Sequence, residues 1–214
     1  MKNIVLFPGL AADHRLFSCL RIESPAVQII NYITPRKNET LQNYARNIAA
    51  TIPAHDHTIF IGVSFGGILA QEVAHFYTVK KIILISSISS IKQLTIAHTF
   101  FKIFPVYEWL SAQSLKKLIV WISHRFTKKN ISENALFENM IADADIRFIR
   151  WGIRETLHWK QVSPNLRVIH VHGTKDRLFP IVKIPVQHSV EDGQHFMVVQ
   201  KSAEISLLLE QLID

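Results

Sequence analysis

Short runs of β-branched and other apolar residues alternate with longer amphipathic stretches along most of this chain. The alternation predicts strands separated by helices. Residues 3–7 read as a buried strand closed by Pro8-Gly9, and residues 26–31 as a second, carrying Val27, Ile29 and Ile30. Residues 40–52 repeat Leu41, Tyr44, Ala45, Ile48 and Ile52 at helical spacing. A third strand over 58–63 runs straight into a helix expected to reach Phe76, and Ile82, Ile83, Leu84 and Ile85 make a fourth strand over 81–86. Residues 166–172 and 186–190 are the fifth and sixth. Only residues 173–185 separate them, so any helix between them is one turn or absent. Residues 202–213 form a closing amphipathic helix with Ser202 as its expected N-cap. Strands alternating with helices imply a mostly parallel sheet covered on both faces. Residues 91–161 break the pattern. They hold no convincing strand and read as helices near 98–104, 114–126, 132–140 and 145–158, a helical insertion within one domain spanning residues 1–214.

Composition narrows the class. The 214 residues are 48% hydrophobic and 19% charged, enough for a sizeable core. The single cysteine, Cys19, forbids an internal disulfide and a cysteine-rich zinc site. No apolar run is long enough to span a bilayer, and residues 1–7 read as a strand in preference to a secretory leader. The expectation is a soluble protein of the cytoplasm without stable membrane insertion. A net charge of +7 favours anionic ligands or surfaces but is no nucleic-acid signature.

Gly62-Val63-Ser64-Phe65-Gly66 is the most informative segment. It places Gly-x-Ser-x-Gly between a predicted strand and a predicted helix. A nucleophilic serine needs such a setting because it must stand on a sharp turn with its hydroxyl raised above the sheet, where only glycine fits two residues away on either side. The N–H of Phe65, at the start of the helix, has no intrahelical partner and is a candidate oxyanion donor. No Gly-x-x-x-x-Gly-Lys-Ser/Thr loop is present, so a phosphate-cradling P-loop is not supported.

On these residues the chain resembles the α/β-hydrolase superfamily. The resemblance implies further parts. Pro8-Gly9-Leu10 lies where most members carry His-Gly, which assigns the second oxyanion donor to the N–H of Leu10. His172-Gly173-Thr174-Lys175-Asp176 resembles the turn that carries the acid, so Asp176 is the expected acid of a Ser-His-Asp triad. The alternative place, after the fourth strand, reads Ser86-Ser87-Ile88-Ser89-Ser90 and has no carboxylate. Asp13 is the next acid to consider. Gly193-Gln194-His195-Phe196 resembles the turn that carries the base, so His195 is the expected base. Among the other histidines, His172 reads as a turn residue, His170 as packing, and His14 as the one beside the oxyanion loop. The implied fold lacks the two leading antiparallel strands of larger members and has strand order 2-1-3-4-5-6. Six of the seven glycines, Gly9, Gly62, Gly66, Gly67, Gly173 and Gly193, fall in these four loops, and Gly152 lies outside them.

The insertion holds 11 Lys and Arg against 6 Asp and Glu over residues 92–160, together with all four tryptophans. In the resembled family such a segment covers the serine, which makes Phe101, Trp109, Trp121 and Trp151 candidate pocket residues. Residues 115–122 also have the look of a membrane-touching amphipathic helix. The implied activity is that of a serine esterase on a small-molecule ester, with no cofactor and no metal. A thioesterase, a carbon–carbon bond hydrolase and a low-turnover ligand receptor remain open, and the oligomeric state is unknown.

Overall fold

A computed structural model describes residues 2–55, 57–126, 131–160 and 167–214. Its strands are β1 (Asn3–Phe7), β2 (Ala26–Ile29), β3 (Thr58–Val63), β4 (Lys81–Ile85), β5 (Val168–Gly173) and β6 (His188–Val190). They form one six-stranded sheet in the order β2-β1-β3-β4-β5-β6, with every neighbouring pair parallel. The central strands β1, β3 and β4 are buried along their whole length, which is why they read as continuous apolar runs. Val5, Phe7, Phe60, Ile82 and Leu84 point to one face, against α1 (Leu41–Ala49) and α2 (Phe65–Val73). Ile4, Leu6, Ile59, Ile61, Ile83 and Ile85 point to the other, against α8 (Met197–Gln200) and α9 (Ser202–Ile213).

Several boundaries differ from expectation. The first helix is capped by Thr40, whose hydroxyl accepts from the Asn43 N–H, and ends at Ala49. Helix α2 stops at Val73, not Phe76. Strand β5 starts at Val168; the expected start, Leu166, lies outside the described residues. Ser202 is not an N-cap. The one-turn α8 ends so close before α9 that Lys201 takes the cap position, and the Ser202 carbonyl accepts the Ser206 hydroxyl instead. The short connection from β5 to β6 contains a single 3₁₀ turn, Ile181–Lys183.

Between β4 and β5 the described residues form the helices α3 (Ile96–Ile103), α4 (Val106–Trp109), α5 (Ala112–Phe126), α6 (Ile131–Asp143) and α7 (Ile146–Leu157). The end of the expected insertion, residue 161, lies outside the described residues. Helix α7 is tied down hardest. The Trp151 indole N–H donates to the Glu39 carbonyl at 2.7 Å, and beyond the helix Trp159 donates to Glu72 of α2 at 2.6 Å. Among the described residues no helix is long and apolar enough to cross a membrane.

The turn from β3 into α2 is built by contact. A Cβ on Gly66 would stand 2.1 Å from the Phe7 carbonyl oxygen and 2.3 Å from that of Pro8. A Cβ on Gly9 would meet nothing closer than 3.5 Å. Gly66→Ala is therefore expected to destabilise the fold by about 3 kcal/mol or more, because backbone of the central strand β1 would have to move. Gly9→Ala should stay within about 1 kcal/mol. Urea unfolding of the two variants checks the contrast.

Candidate active site

Ser64 stands between β3 and α2 with φ 53° and ψ −122°, a backbone state few non-glycine residues adopt. It is held from both sides. Its N–H donates to the Ile85 carbonyl at 3.0 Å, and its carbonyl accepts the Gly67 N–H at 2.9 Å and the Ser87 hydroxyl at 2.6 Å. Four of the five non-glycine residues with positive φ among those described, Ala11, Ser64, Ser86 and Asp192, lie in the loops at this edge of the sheet. No described glycine has positive φ. Most of the glycines serve close approach.

The structure brings Ser64, His195 and Asp176 together across residues 64 to 195 of the chain. His195 Nε2 lies 2.9 Å from Ser64 Oγ, and His195 Nδ1 lies 2.9 Å from Asp176 Oδ2. A carboxylate only accepts, so Nδ1 carries the proton and Nε2 is free to accept from the serine hydroxyl. The acid and base loops are joined to each other. Thr174 N–H donates to Val190 O at 3.0 Å, Lys175 N–H to Gly193 O at 2.9 Å, and Asp192 N–H to Thr174 Oγ1 at 2.9 Å. Gly173 and Gly193 pass so closely that a Cβ on Gly173 would lie 2.2 Å from the Gly193 oxygen.

Asp176 is buried, and its carboxylate is saturated with donors. Oδ1 accepts the N–H groups of Leu178 and Phe179, both at 2.9 Å. Oδ2 accepts from His195 and faces His172 Nε2 at 3.3 Å. Burial by itself would raise this carboxyl's pKa. The charge of His195 and the bonds from His172 and His195 outweigh burial and hold it well below the usual carboxylate range.

The oxyanion candidates sit beside the serine. A Cβ on Gly9 would lie 3.6 Å from Ser64 Cβ, so the Pro8-Gly9-Leu10 loop runs past the hydroxyl. Tyr32 fixes that loop by donating to the Pro8 carbonyl at 2.7 Å. Neither the Leu10 nor the Phe65 N–H donates to a loop or turn carbonyl among the described residues. Gly152 of α7 closes over both residues. A Cβ there would stand 2.4 Å from Leu10 Cδ1 and 3.6 Å from Phe65 Cε2. The one glycine that the sequence places outside the site loops thus touches the same site.

The four aromatic pocket candidates part company. Phe101 is half-buried against a cluster that includes Ala11, the residue after Leu10. Trp151 is not a pocket wall. It packs on Tyr44, Phe65 and Phe148, and its bond to the Glu39 carbonyl makes it an anchor. Trp109 is exposed because Tyr107 takes the inner side of the single-turn α4. Trp121 is exposed too. Helix α5 turns Leu115, Ile119 and Ser123 inward, and Trp121 lines a separate depression with Lys117, Val120 and Glu138. His14 is exposed beside Asp13, and Asp13 caps the following turn and pairs with Arg15.

Three neighbours of the triad escape the sequence reading. Phe179 lies T-shaped to His195 with ring centroids 5.4 Å apart. His98 of α3 stacks on Phe179 at 5.5 Å and accepts the Thr95 N–H at Nδ1, which leaves the proton on Nε2. Burial, then the charges of His195 and Lys183, push its pKa down to about 4. His172 is a buried partner of the acid, not a turn residue: its Nε2 donates to the Phe179 carbonyl at 2.7 Å. The signal for His172 was present in its position four residues before Asp176. Nothing local marks His98. His170 is buried as expected, with Nε2 3.0 Å from the Ser89 hydroxyl. Among the described residues no group of three or more His, Cys, Asp or Glu side chains is gathered where a metal could be held.

The chain has the α/β-hydrolase fold. It superposes along 100% of its length on 89% of an esterase from Thermogutta terrifontis, with a TM-score of 0.74 and 15% identity. It also covers 92% of an esterase from Exiguobacterium antarcticum at TM-score 0.73 and 16% identity, again along 100% of this chain. A bromoperoxidase from Bacillus anthracis is similar at TM-score 0.68 and 13% identity, over 100% of this chain and 93% of that one. No protein-family model and no curated protein matches the sequence.

His172→Phe removes the donor from the Phe179 carbonyl inside the core. The expected loss is about 1–3 kcal/mol of stability, while His172→Gln, whose amide can still donate there, should lose less. Denaturant unfolding of the pair checks the order.

Proposed function

We propose that this protein is a serine hydrolase that cleaves a small carboxylic ester through an acyl-enzyme. The observation that carries the reading is the unbroken relay from Ser64 Oγ through His195 to Asp176, each step 2.9 Å. Ser64 attacks the ester carbonyl carbon as His195 Nε2 takes its proton. The tetrahedral oxyanion is held by the N–H groups of Phe65 and Leu10. Collapse expels the alcohol, which takes the proton from His195. Water then attacks the acyl group, giving its proton to His195, and Ser64 is released with its hydroxyl restored. Asp176 stays ionised throughout, orienting the ring and stabilising the imidazolium. No step calls for a cofactor. Residues 91–161 act as a lid within a single domain, and Phe101 of that lid packs against the cluster that holds Ala11 and Tyr107. The lone thiol of Cys19 is exposed and unpaired, which suits the reducing cytoplasm.

A fluorophosphonate should label Ser64 and nothing else, and labelling that persists in Ser64→Ala would overturn the assignment. Ser64→Ala should lower kcat by about 10⁶ and Asp176→Asn by about 10⁴, the latter because an amide holds the wrong histidine tautomer. The pH dependence has a fixed sign. His195 must be neutral to accept the serine proton, so kcat/KM falls as pH falls. Asp176 is held below the usual carboxylate range and does not titrate within that limb. A plot of log kcat/KM against pH should therefore reach a limiting slope of one on the acid side. A slope of two would mean that a second group is essential there.

A further inference from the structure

Helix α3 (Ile96–Ile103) has no buried residue, although most of its side chains are apolar. Its two sides face different surroundings. His98 and Phe101 turn inward, His98 onto Phe179 beside the catalytic histidine and Phe101 into the cluster with Ala11 and Tyr107. Ile96, Phe100, Ile103 and the following Phe104 recur at i, i+4, i+7 and i+8 and turn outward. Ile96 is 87% exposed, and the other three are each more than half exposed. Phe100 and Phe104 lie with ring centroids 5.2 Å apart, so the outer face is continuous. Lys183 donates to the Leu94 carbonyl at 2.9 Å, which brings the Ile181–Lys183 turn against the start of α3. That turn adds Val182, which is 89% exposed. Four large apolar side chains thus form one outward face of α3 on the roof of the site, with Val182 exposed on the turn beside its start, and a free-standing soluble surface seldom leaves such a patch.

The charges around the patch say what covers it. Lys92, Lys102 and Lys183 are all exposed at its margin, with Glu108 the nearby acid on the next helix. We propose that this face is a docking surface for an anionic lipid bilayer, with Ile96, Phe100, Ile103, Phe104 and Val182 entering the headgroup and acyl boundary and the lysines meeting the headgroup charge. Helix α3 is about 12 Å long, which suits a helix lying in the interface plane and not across the membrane. A second copy of the chain fits less well. Pairing two such faces would bring two sets of lysines together on molecules that each carry +7. An anionic surface gains from the same charges.

Vesicle flotation tests the proposal with the full chain and does not depend on its catalysis. The probes are phosphatidylcholine vesicles with and without about one third phosphatidylglycerol. Wild type and Ser64→Ala are expected to float equally with the anionic vesicles and to remain behind with the neutral ones. Phe100→Asp/Ile103→Asp should lose at least about tenfold in partitioning, since two apolar contacts become charges facing an anionic surface. Lys92→Glu/Lys102→Glu should lose binding as well. Hydrolysis of a water-soluble short-chain ester by Phe100→Asp/Ile103→Asp should stay at the wild-type rate, which also shows that the variant folds. Failure of wild type to float with anionic vesicles would overturn the proposal. So would undiminished flotation of Phe100→Asp/Ile103→Asp, or equal flotation with neutral vesicles. A dimer in light scattering that the Phe100→Asp/Ile103→Asp variant dissolves would instead assign the face to a second copy.

Discussion

The site depends on one strained residue. Ser64 holds φ at 53°, and a backbone state of this kind costs on the order of 1–3 kcal/mol, so its surroundings must over-determine it. They do so from two directions. Strand β4 and the residues after it take both backbone polar groups of Ser64, through the Ile85 carbonyl and the Ser87 hydroxyl. Beneath the turn, a Cβ on Gly62 would stand 2.4 Å from Gly67 Cα, so strand and helix are in backbone contact. Any side chain at that crossing would push α2 away from β3 and carry the Phe65 N–H with it. The serine hydroxyl, the helix start and the end of β1 are therefore one rigid unit.

The acid and base form a second such unit, joined to the first through the sheet. Asp176 and His195 sit on different loops, yet the Gly173–Gly193 approach and three hydrogen bonds between the loops leave little freedom to separate. The carboxylate is buried, and it remains an anion because backbone N–H groups and two histidines surround it. Burial of a carboxylate would otherwise favour its neutral form, which could not orient His195. His172 extends this arrangement by linking Asp176 to the Phe179 carbonyl, while the Phe179 ring lies against His195.

Above these rigid parts the helical insertion is attached unevenly. Helix α7 is anchored by Trp151 and presses Gly152 onto Leu10 and Phe65. Helix α3 turns only His98 and Phe101 inward, and its outer apolar face is exposed among the described residues. The division is physical: α7 contributes to the core and sets the height of the roof, whereas α3 lies between the site and whatever surface meets it.

Much of the fold was legible in local patterns. Strands buried on both faces must be continuously apolar, and helices packed on one face must repeat at about 3.6 residues, so six strands and their parallel order could be read from residues 3–90 and 166–214. Gly-x-Ser-x-Gly was legible because one of the close contacts it permits, Gly62 against Gly66 and Gly67, is local in the chain; the approach of Gly66 to Phe7 and Pro8 is made only by the fold. Tertiary structure alone decided which side chains meet across long separations. Trp109, Trp121 and Trp151 look alike in sequence, but the inward face of a short helix is set by the neighbour it packs on: Trp151 is buried and donates to the Glu39 carbonyl, whereas Trp109 and Trp121 lie largely exposed. The place of His98 beside the site was hidden for the same reason. The Thr95 N–H that His98 accepts is local, but the stacking of His98 on Phe179, 81 residues away, is made only by the fold. Periodicity and glycine spacing encode where backbone must pass closely, whereas the choice of partner for a polar or aromatic side chain is made by packing between elements far apart in the chain.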